Sequence, residues 1–311
     1  MTGPDPAPDR GRERAKRIAR AWLPPALADA ARALRPDRSP RDWEYEPEGW
    51  AATAPTEGWD VESVAQAQVE RWPAYLRAIE GTDPLAVAYE STRLDEHDTQ
   101  DGHLPGYAYA SHNATITFGY VLARAAHDRD RISVLDWGGG LGHHYQLARA
   151  LLPDVELDYS CHDVPVMCRA GAELQPEIRF VDADTALAQS YDLVFASNSL
   201  QYFERWQPVV DQLAAATERF LFLTRVPVVW HVPSYVVVQR PARFGYDTEY
   251  RSWTFNRAEL LAQTAASRLE LTREFLQLER LTVPSVPEQW ENRAFLFTPG
   301  QFTPGQFTPD P

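Results

Sequence analysis

Ile132-Ser133-Val134-Leu135-Asp136-Trp137-Gly138-Gly139-Gly140-Leu141-Gly142-His143-His144-Tyr145 is the stretch that decides the fold of this chain. A largely apolar, strand-like run enters a cluster of glycines, and a helical pattern follows. Glycine lets the backbone turn sharply and approach a ligand closely, and a helix starting behind the turn presents unpaired N–H groups. Strand, glycine loop and helix in that order make a nucleotide-type site. A dinucleotide fingerprint, G-x-G-x-x-G/A, would need Gly or Ala at position 143, where the chain has His143. The spacing is instead D-x-G-x-G-x-G on Asp136, Gly138, Gly140 and Gly142. No G-x-x-x-x-G-K-[ST] pattern occurs, which excludes an NTP-hydrolysing P-loop.

Downstream of this loop, short apolar runs alternate with helix-compatible spans. Residues 132–137, 155–162, 178–181, 192–197, 220–224, 269–276 and 294–297 read as strands. The alternation predicts an α/β domain over 131–297: a Rossmann-like, seven-stranded, mostly parallel sheet with helices on both faces. Its ligand belongs at the carboxyl ends of the strands, where strand order reverses.

Upstream, residues 42–130 have few strand signals and several helical ones, including 61–80 and 114–127, and are expected to form an N-terminal helical cap. Trp43, Trp50, Trp59 and Trp72 in this segment are either a substrate wall or core anchors. Residues 1–41 carry ten basic side chains against five acidic ones and are read as a flexible basic arm. At the other end, FTPGQ-FTPGQ-FTPDP implies a flexible Pro/Gly tail over 298–311.

Forty-four acidic residues against thirty basic ones, a net charge of −14, argue against nucleic acid as a partner. Cys161 and Cys168 are the only cysteines and form no C-x-x-C pair, so thiols build neither a zinc cluster nor a disulfide framework. No apolar run approaches the roughly 20 residues of a membrane span, and charges occupy the amino terminus where a signal peptide needs apolar residues. The expectation is a cytoplasmic protein. Asp95, Glu96, His97 and Asp98 cluster in a polar stretch read as a solvated loop, and H-E-x-x-H is absent, so no metal is expected.

An acidic residue at a strand end followed by G-x-G-x-G resembles the first motif of class I S-adenosylmethionine-dependent methyltransferases. The resemblance implies that Gly138, Gly139, Gly140 and Gly142 wrap the methionine half of the cofactor while Asp136 helps organise its amino group. It implies that Asp163, with Val164, meets the ribose hydroxyls, although Asp163 also reads as a helix N-cap before Pro165. In Asp182-Ala183-Asp184, Asp184 ahead of Asp182 would face the adenine amino group, and Ser197 and Asn198 would pass beneath the transferred methyl. Ser111-His112-Asn113, Ser197-Asn198-Ser199-Leu200-Gln201-Tyr202, Thr224-Arg225-Val226-Pro227, Val238-Gln239 and Trp253-Thr254-Phe255 extend the likeness over 43–297 to a family of bacterial methyltransferases with little assigned substrate chemistry. This chain departs from it at Asn198, where the family often has serine, and at Trp137, where it has Phe or Tyr.

The function implied is methyl transfer from S-adenosylmethionine to a small-molecule acceptor, oxygen ahead of nitrogen, a secondary metabolite or a glycan. The competing reading is a cofactor-binding, non-methylating interaction module on the same fold; an NAD-dependent oxidoreductase ranks third because of His143. A hydroxyl acceptor wants a base, and histidine suits neutral pH. His231, placed after the fifth predicted strand, is the first candidate, with His112 and His144 behind it. Tyr202, Arg225, Trp230 and Trp253 are the expected substrate contacts. Oligomeric state is not legible.

Overall fold

A computed structural model describes residues 42–51, 57–81, 106–280 and 282–300. The basic arm, the Asp95–Glu96–His97–Asp98 stretch and the tail beyond residue 300 lie outside these residues. The chain runs β1 (Trp43–Glu46), α1 (Glu62–Glu80), α2 (Gly106–Ala126), β2 (Arg131–Trp137), α3 (His143–Leu151), β3 (Glu156–His162) and α4 (Pro165–Leu174). It continues through β4 (Arg179–Phe180), α5 (Ala183–Leu187), β5 (Tyr191–Ser197), α6 (Trp206–Ala215), β6 (Thr217–Val229) and β7 (Tyr235–Gln239). It ends with β8 (Tyr250–Asn256), α7 (Arg257–Ala266), β9 (Leu269–Arg280) and β10 (Glu291–Pro299).

Ile132, Val134 and Leu135 of β2 have no exposed surface. A strand buried on both faces belongs at the centre of a parallel sheet. β2 pairs in parallel with β3 on one edge and β5 on the other. β4 adds beyond β3 and β6 beyond β5, again in parallel. β10 returns antiparallel beside β6, and β9 lies antiparallel beside β10. Strand order reverses between β2 and β5, which leaves a crevice at their carboxyl ends. Helices cover both faces, as expected. Ala186 of α5, Trp206 and Leu213 of α6 and Leu260 of α7 pack into one core with Leu135 and Val194. On the other face Phe118 and Leu122 of α2 and Leu147 of α3 pack with Phe195 and Phe222.

All seven stretches expected as strands are strands, but the sheet holds ten. The additions are β1, β7 and β8, antiparallel in the order β1-β7-β8. β1 lies inside the segment read as a helical cap, and α2 is one of the helices that cover the sheet, so the cap expectation is corrected: among the described residues of that segment, it is α1 that sits away from the sheet, against Leu141 of the glycine loop and Val166 and Met167 of α4. β7 reads Tyr-Val-Val-Val-Gln, a β-branched run buried along its length. It lies between the stretches read as strands at 220–224 and 269–276.

β6 is thirteen residues long and outruns β5, whose last pair is Ser197 with Thr224. Beyond Arg225, Val228 pairs with Glu291 of β10 on one edge and with Phe255 of β8 on the other. β8 therefore takes, further along β6, the edge that β5 takes before it, and the ribbon β8-β7-β1 extends past the carboxyl end of β5. None of the helices described is long and apolar enough to cross a membrane.

β10 also runs past the point where the tail was expected to begin. Thr298 and Pro299 pair with Glu270 and Leu269, and the Gly300 amide donates to the Arg268 carbonyl at 2.8 Å. Compared with a chain ending after Gly300, a chain ending after Phe297 is expected to lose roughly 1–3 kcal/mol, at about 0.5–1.5 kcal/mol net per backbone hydrogen bond. Urea melts of the two truncated proteins check this, and equal midpoints would mean that the strand end contributes nothing.

Candidate functional site

The glycine loop leaves β2 through left-handed turns: Gly138 and Gly140 have φ of 75° and 61°, a region open to glycine and rarely to other residues. The Gly138 amide donates to the His162 carbonyl at 2.7 Å, which ties the loop to the end of β3. A Cβ on Gly138 would lie 2.3 Å from Ser199 Cβ, and one on Gly139 would lie 2.5 Å from the Asp136 carboxyl, so packing alone demands glycine at both. At Gly140 the nearest atom would be 3.5 Å away. Gly140 lines a cavity of about 1170 Å³ at the carboxyl ends of the strands. Gly142, with φ 80°, is the residue from which α3 starts; its hydrogen faces Ile178 and Gln175 rather than the cavity.

Asp163 holds this loop in place. One carboxylate oxygen accepts from the Gly140 amide at 2.7 Å and the other from the Val164 amide at 2.7 Å. The cap of α4 comes from elsewhere: Asp60 accepts from the Val166 amide at 3.0 Å. Burial pushes the Asp163 carboxyl up to about 6 against the pull of its two N–H donors, with Asp136 and Asp60 adding to the rise. Asp163 and Val164 both line the cavity.

Asp136 lies behind the loop, with no exposed surface, and does not line the cavity. It accepts from the Tyr159 hydroxyl at 2.9 Å, and its Oδ2 lies 3.5 Å from Nδ1 of His144. His144 does line the cavity, with its ring edge-on to Phe118 and Phe195. His143, the residue that breaks the dinucleotide spacing, packs against Trp72 and Tyr75 of α1. Burial first, and the neighbouring His144 second, hold its imidazole well below the ordinary range, so it is neutral at pH 7.

The structure brings together Gly138, Gly139, Gly140, Asp163, Val164, Ser197, Asn198, His144, Tyr202 and Arg225 around this cavity. Asn198 and Arg225, at the ends of the neighbouring strands β5 and β6, both have positive φ, 51° and 55°. Side chains in that region are strained, and such strain concentrates at functional sites. The Asn198 carboxamide accepts from Gln201 at 2.6 Å and donates to the Tyr202 hydroxyl at 3.3 Å. Other expected site residues lie elsewhere. Asp184 is exposed on α5, where Asp182 caps the helix through the Thr185 amide. His231 is exposed in a turn whose amides are held by Glu288, and the neighbouring Trp230 lies under the Arg293 guanidinium. Trp253 donates to the Glu204 carbonyl, and His112 sits on α2; neither lines the cavity.

Sequence reasoning missed the far wall. Gln239 of β7, Tyr250, Ser252 and Thr254 of β8, Gln277 of β9 and Asn292 of β10 line it. Register explains the ribbon's share of the set, because Tyr250 stands opposite Gln239 and Ser252 opposite Val237, on one face of the ribbon. The alternation in Tyr250-Arg251-Ser252-Trp253-Thr254 was the signal available. Of the four tryptophans read as wall or core, Trp43, Trp50 and Trp59 line the cavity, while Trp72 is core against Tyr75.

No family model matches the chain, and no curated protein matches it. Among solved structures it is similar to an S-adenosylmethionine-dependent methyltransferase from Clostridium acetobutylicum, at 10% identity and TM-score 0.42 over 66% of this chain and 96% of that one. The CcbJ methyltransferase from Streptomyces caelestis aligns at 16% identity and TM-score 0.42 over 66% and 96% of the two chains. A pericyclic reaction enzyme aligns at 16% identity and TM-score 0.39 over 57% and 46%. Likeness this distant carries no weight for activity, and the site's chemistry rests on its own residues.

The raised Asp163 carboxyl makes stability depend on pH. The folded chain holds this proton more tightly than the unfolded chain, so the group's contribution is full below the ordinary carboxylate range and is lost as pH rises through about 6. Relative to Asp163→Asn, the ligand-free protein is expected to lose stability between about pH 4 and pH 6, by on the order of 1–3 kcal/mol. Urea melts of both proteins across that window check it; parallel curves would contradict it.

Proposed function

We propose that the protein transfers a methyl group from S-adenosylmethionine to a small molecule, with a hydroxyl oxygen as the favoured acceptor. The observation that carries this reading is a single cavity that joins the Gly138–Gly139–Gly140 turn and Asp163 to a separate wall on β7 and β8. One cavity with two differently built ends suits a cofactor and an acceptor together. The cofactor end fits the group: Gly140 has room beside it where a Cβ finds no close neighbour, and the Asp163 oxygens keep lone pairs for two ribose hydroxyls beyond the N–H bonds they accept. Gly138, Gly139 and Gly140 would hold its methionine half, Asp163 its ribose, and Val164 and Met167 its adenine side. Asp184 and Asp136 are assigned no direct contact.

When bound, S-adenosylmethionine supplies an electrophilic methyl carbon: the acceptor atom bonds to it as the sulfur–carbon bond breaks, and the acceptor's proton leaves to a base. The protein's own part is alignment and proton removal. Of the three histidines considered, His144 lines the cavity, and buried Asp136 stands 3.5 Å behind its Nδ1. A carboxylate at that distance would stabilise the imidazolium formed when the ring takes the acceptor's proton. His144 therefore replaces His231 as the proposed base.

Calorimetry is expected to detect S-adenosylmethionine and S-adenosylhomocysteine but not NAD, and Gly140→Arg to abolish that binding by filling the cofactor end; tight NAD binding without either sulfur compound would overturn the assignment. In transfer of labelled methyl to acceptors in a cell extract, His144→Ala is expected to lower the rate about a hundredfold or more. Its cofactor affinity should stay nearly intact, and His231→Ala should match the parent. A slow His231→Ala beside a fully active His144→Ala would reverse the two roles.

A further inference from the structure

We propose that the acceptor is a saccharide: a sugar ring whose hydroxyls meet a set of buried neutral amides and whose C–H faces meet indoles. Gln201, Thr224, Gln239 and Gln277 line the cavity with 2%, 4%, 7% and 1% of their surface exposed. Gln201 Oε1, Thr224 Oγ1, Gln239 Oε1 and both terminal atoms of the Gln277 amide are buried without a hydrogen-bond partner. A buried polar group left unpaired costs about 1–3 kcal/mol. Four such side chains converge on one cavity from four separate elements: the turn after β5, and strands β6, β7 and β9. This distribution matches a ligand that completes them.

The chemistry of these groups narrows the ligand. Amides and hydroxyls both donate and accept, as sugar hydroxyls do. An ammonium acceptor would call for a carboxylate, but among the described residues the only carboxylate lining the cavity is Asp163, at the cofactor end. A flat apolar ligand would leave the four polar side chains unpaired. Trp43, Trp50, Trp59 and Trp290 line the same cavity. Trp59 is stacked on Tyr250 at 4.2 Å, and Trp43 stands edge-on to Trp290 at 5.6 Å, so both indoles are held rigidly. Aromatic faces carry negative charge that suits the polarised C–H groups of a sugar ring. The role of this ligand as methyl acceptor rests on the methyl-transfer reading, whereas its recognition rests on the wall alone.

The test uses the full chain, saturated with S-adenosylhomocysteine, in saturation-transfer NMR against methyl pyranosides of the common hexoses and 6-deoxyhexoses, with 2-naphthol and tryptamine as competitors. The expected result is transfer to pyranoside ring protons. Gln239→Leu and Gln277→Leu should each weaken it tenfold or more while calorimetry shows unchanged affinity for S-adenosylhomocysteine. Without ligand, Gln277→Leu is expected to melt at or above the parent temperature, because the leucine removes an unpaired buried amide; a clear drop would show an amide satisfied within the fold and count against the proposal. Binding of naphthol or tryptamine but no pyranoside, or of none of them, would overturn it. Failure to bind S-adenosylhomocysteine would instead sink the methyl-transfer reading, and pyranoside binding to the protein alone would then decide the saccharide.

Discussion

The carboxylate of Asp163 bridges two turns, the glycine loop after β2 and the entry to α4 after β3. Parallel pairing fixes β2 against β3 as far as Trp137 and His162, and the Gly138 and Gly139 amides add bonds to the His162 carbonyl. Beyond the last ladder bond the chain needs another restraint, and a short charged acceptor between two amides supplies it. The arrangement costs desolvation, which shows in the raised proton affinity of the group.

The second constraint is the length of β6. A strand that outruns its neighbour leaves an unpaired edge, and a free edge invites association with other chains. Here the exposed length of β6 is used by β8, which brings β7 and β1 with it. The ribbon answers the edge problem and at the same time places one of its faces beyond the carboxyl ends of the central strands. The left-handed backbone at Arg225 lies where β6 passes from one partner to the next. A sheet edge completed in this way builds one wall of the cavity from residues far apart in the chain, with Trp43 opposite Gln239 and Gln239 opposite Tyr250.

Charge inside the cavity runs against charge on the whole. The chain carries −14, yet Arg71, Arg225 and Arg251 line the cavity against the single carboxylate of Asp163 among the described residues.

The sequence by itself determined the α/β class, seven of the strands, five of them in the parallel core, and the glycine loop, because each depends on contacts local in the chain: apolar runs of strand length and glycines at positions that need left-handed backbone. It also marked Asp163, Ser197, Asn198, Tyr202 and Arg225, since residues at strand ends share one edge of such a sheet whatever the rest of the chain does. What it could not determine was which side chains face that edge. His231 follows β6 in sequence, but β6 runs on for five residues past the end of β5 and carries His231 out of the cavity, while His144, on the first turn of α3, faces in. Asp136 and Asp163 look alike as acidic strand ends, and only packing put one beneath Gly139 and the other beside Gly140. The wall of Gln239, Tyr250 and Gln277 was legible only in three dimensions, because strand pairing between distant segments, set by register and burial rather than by local propensity, decides which residues share a face.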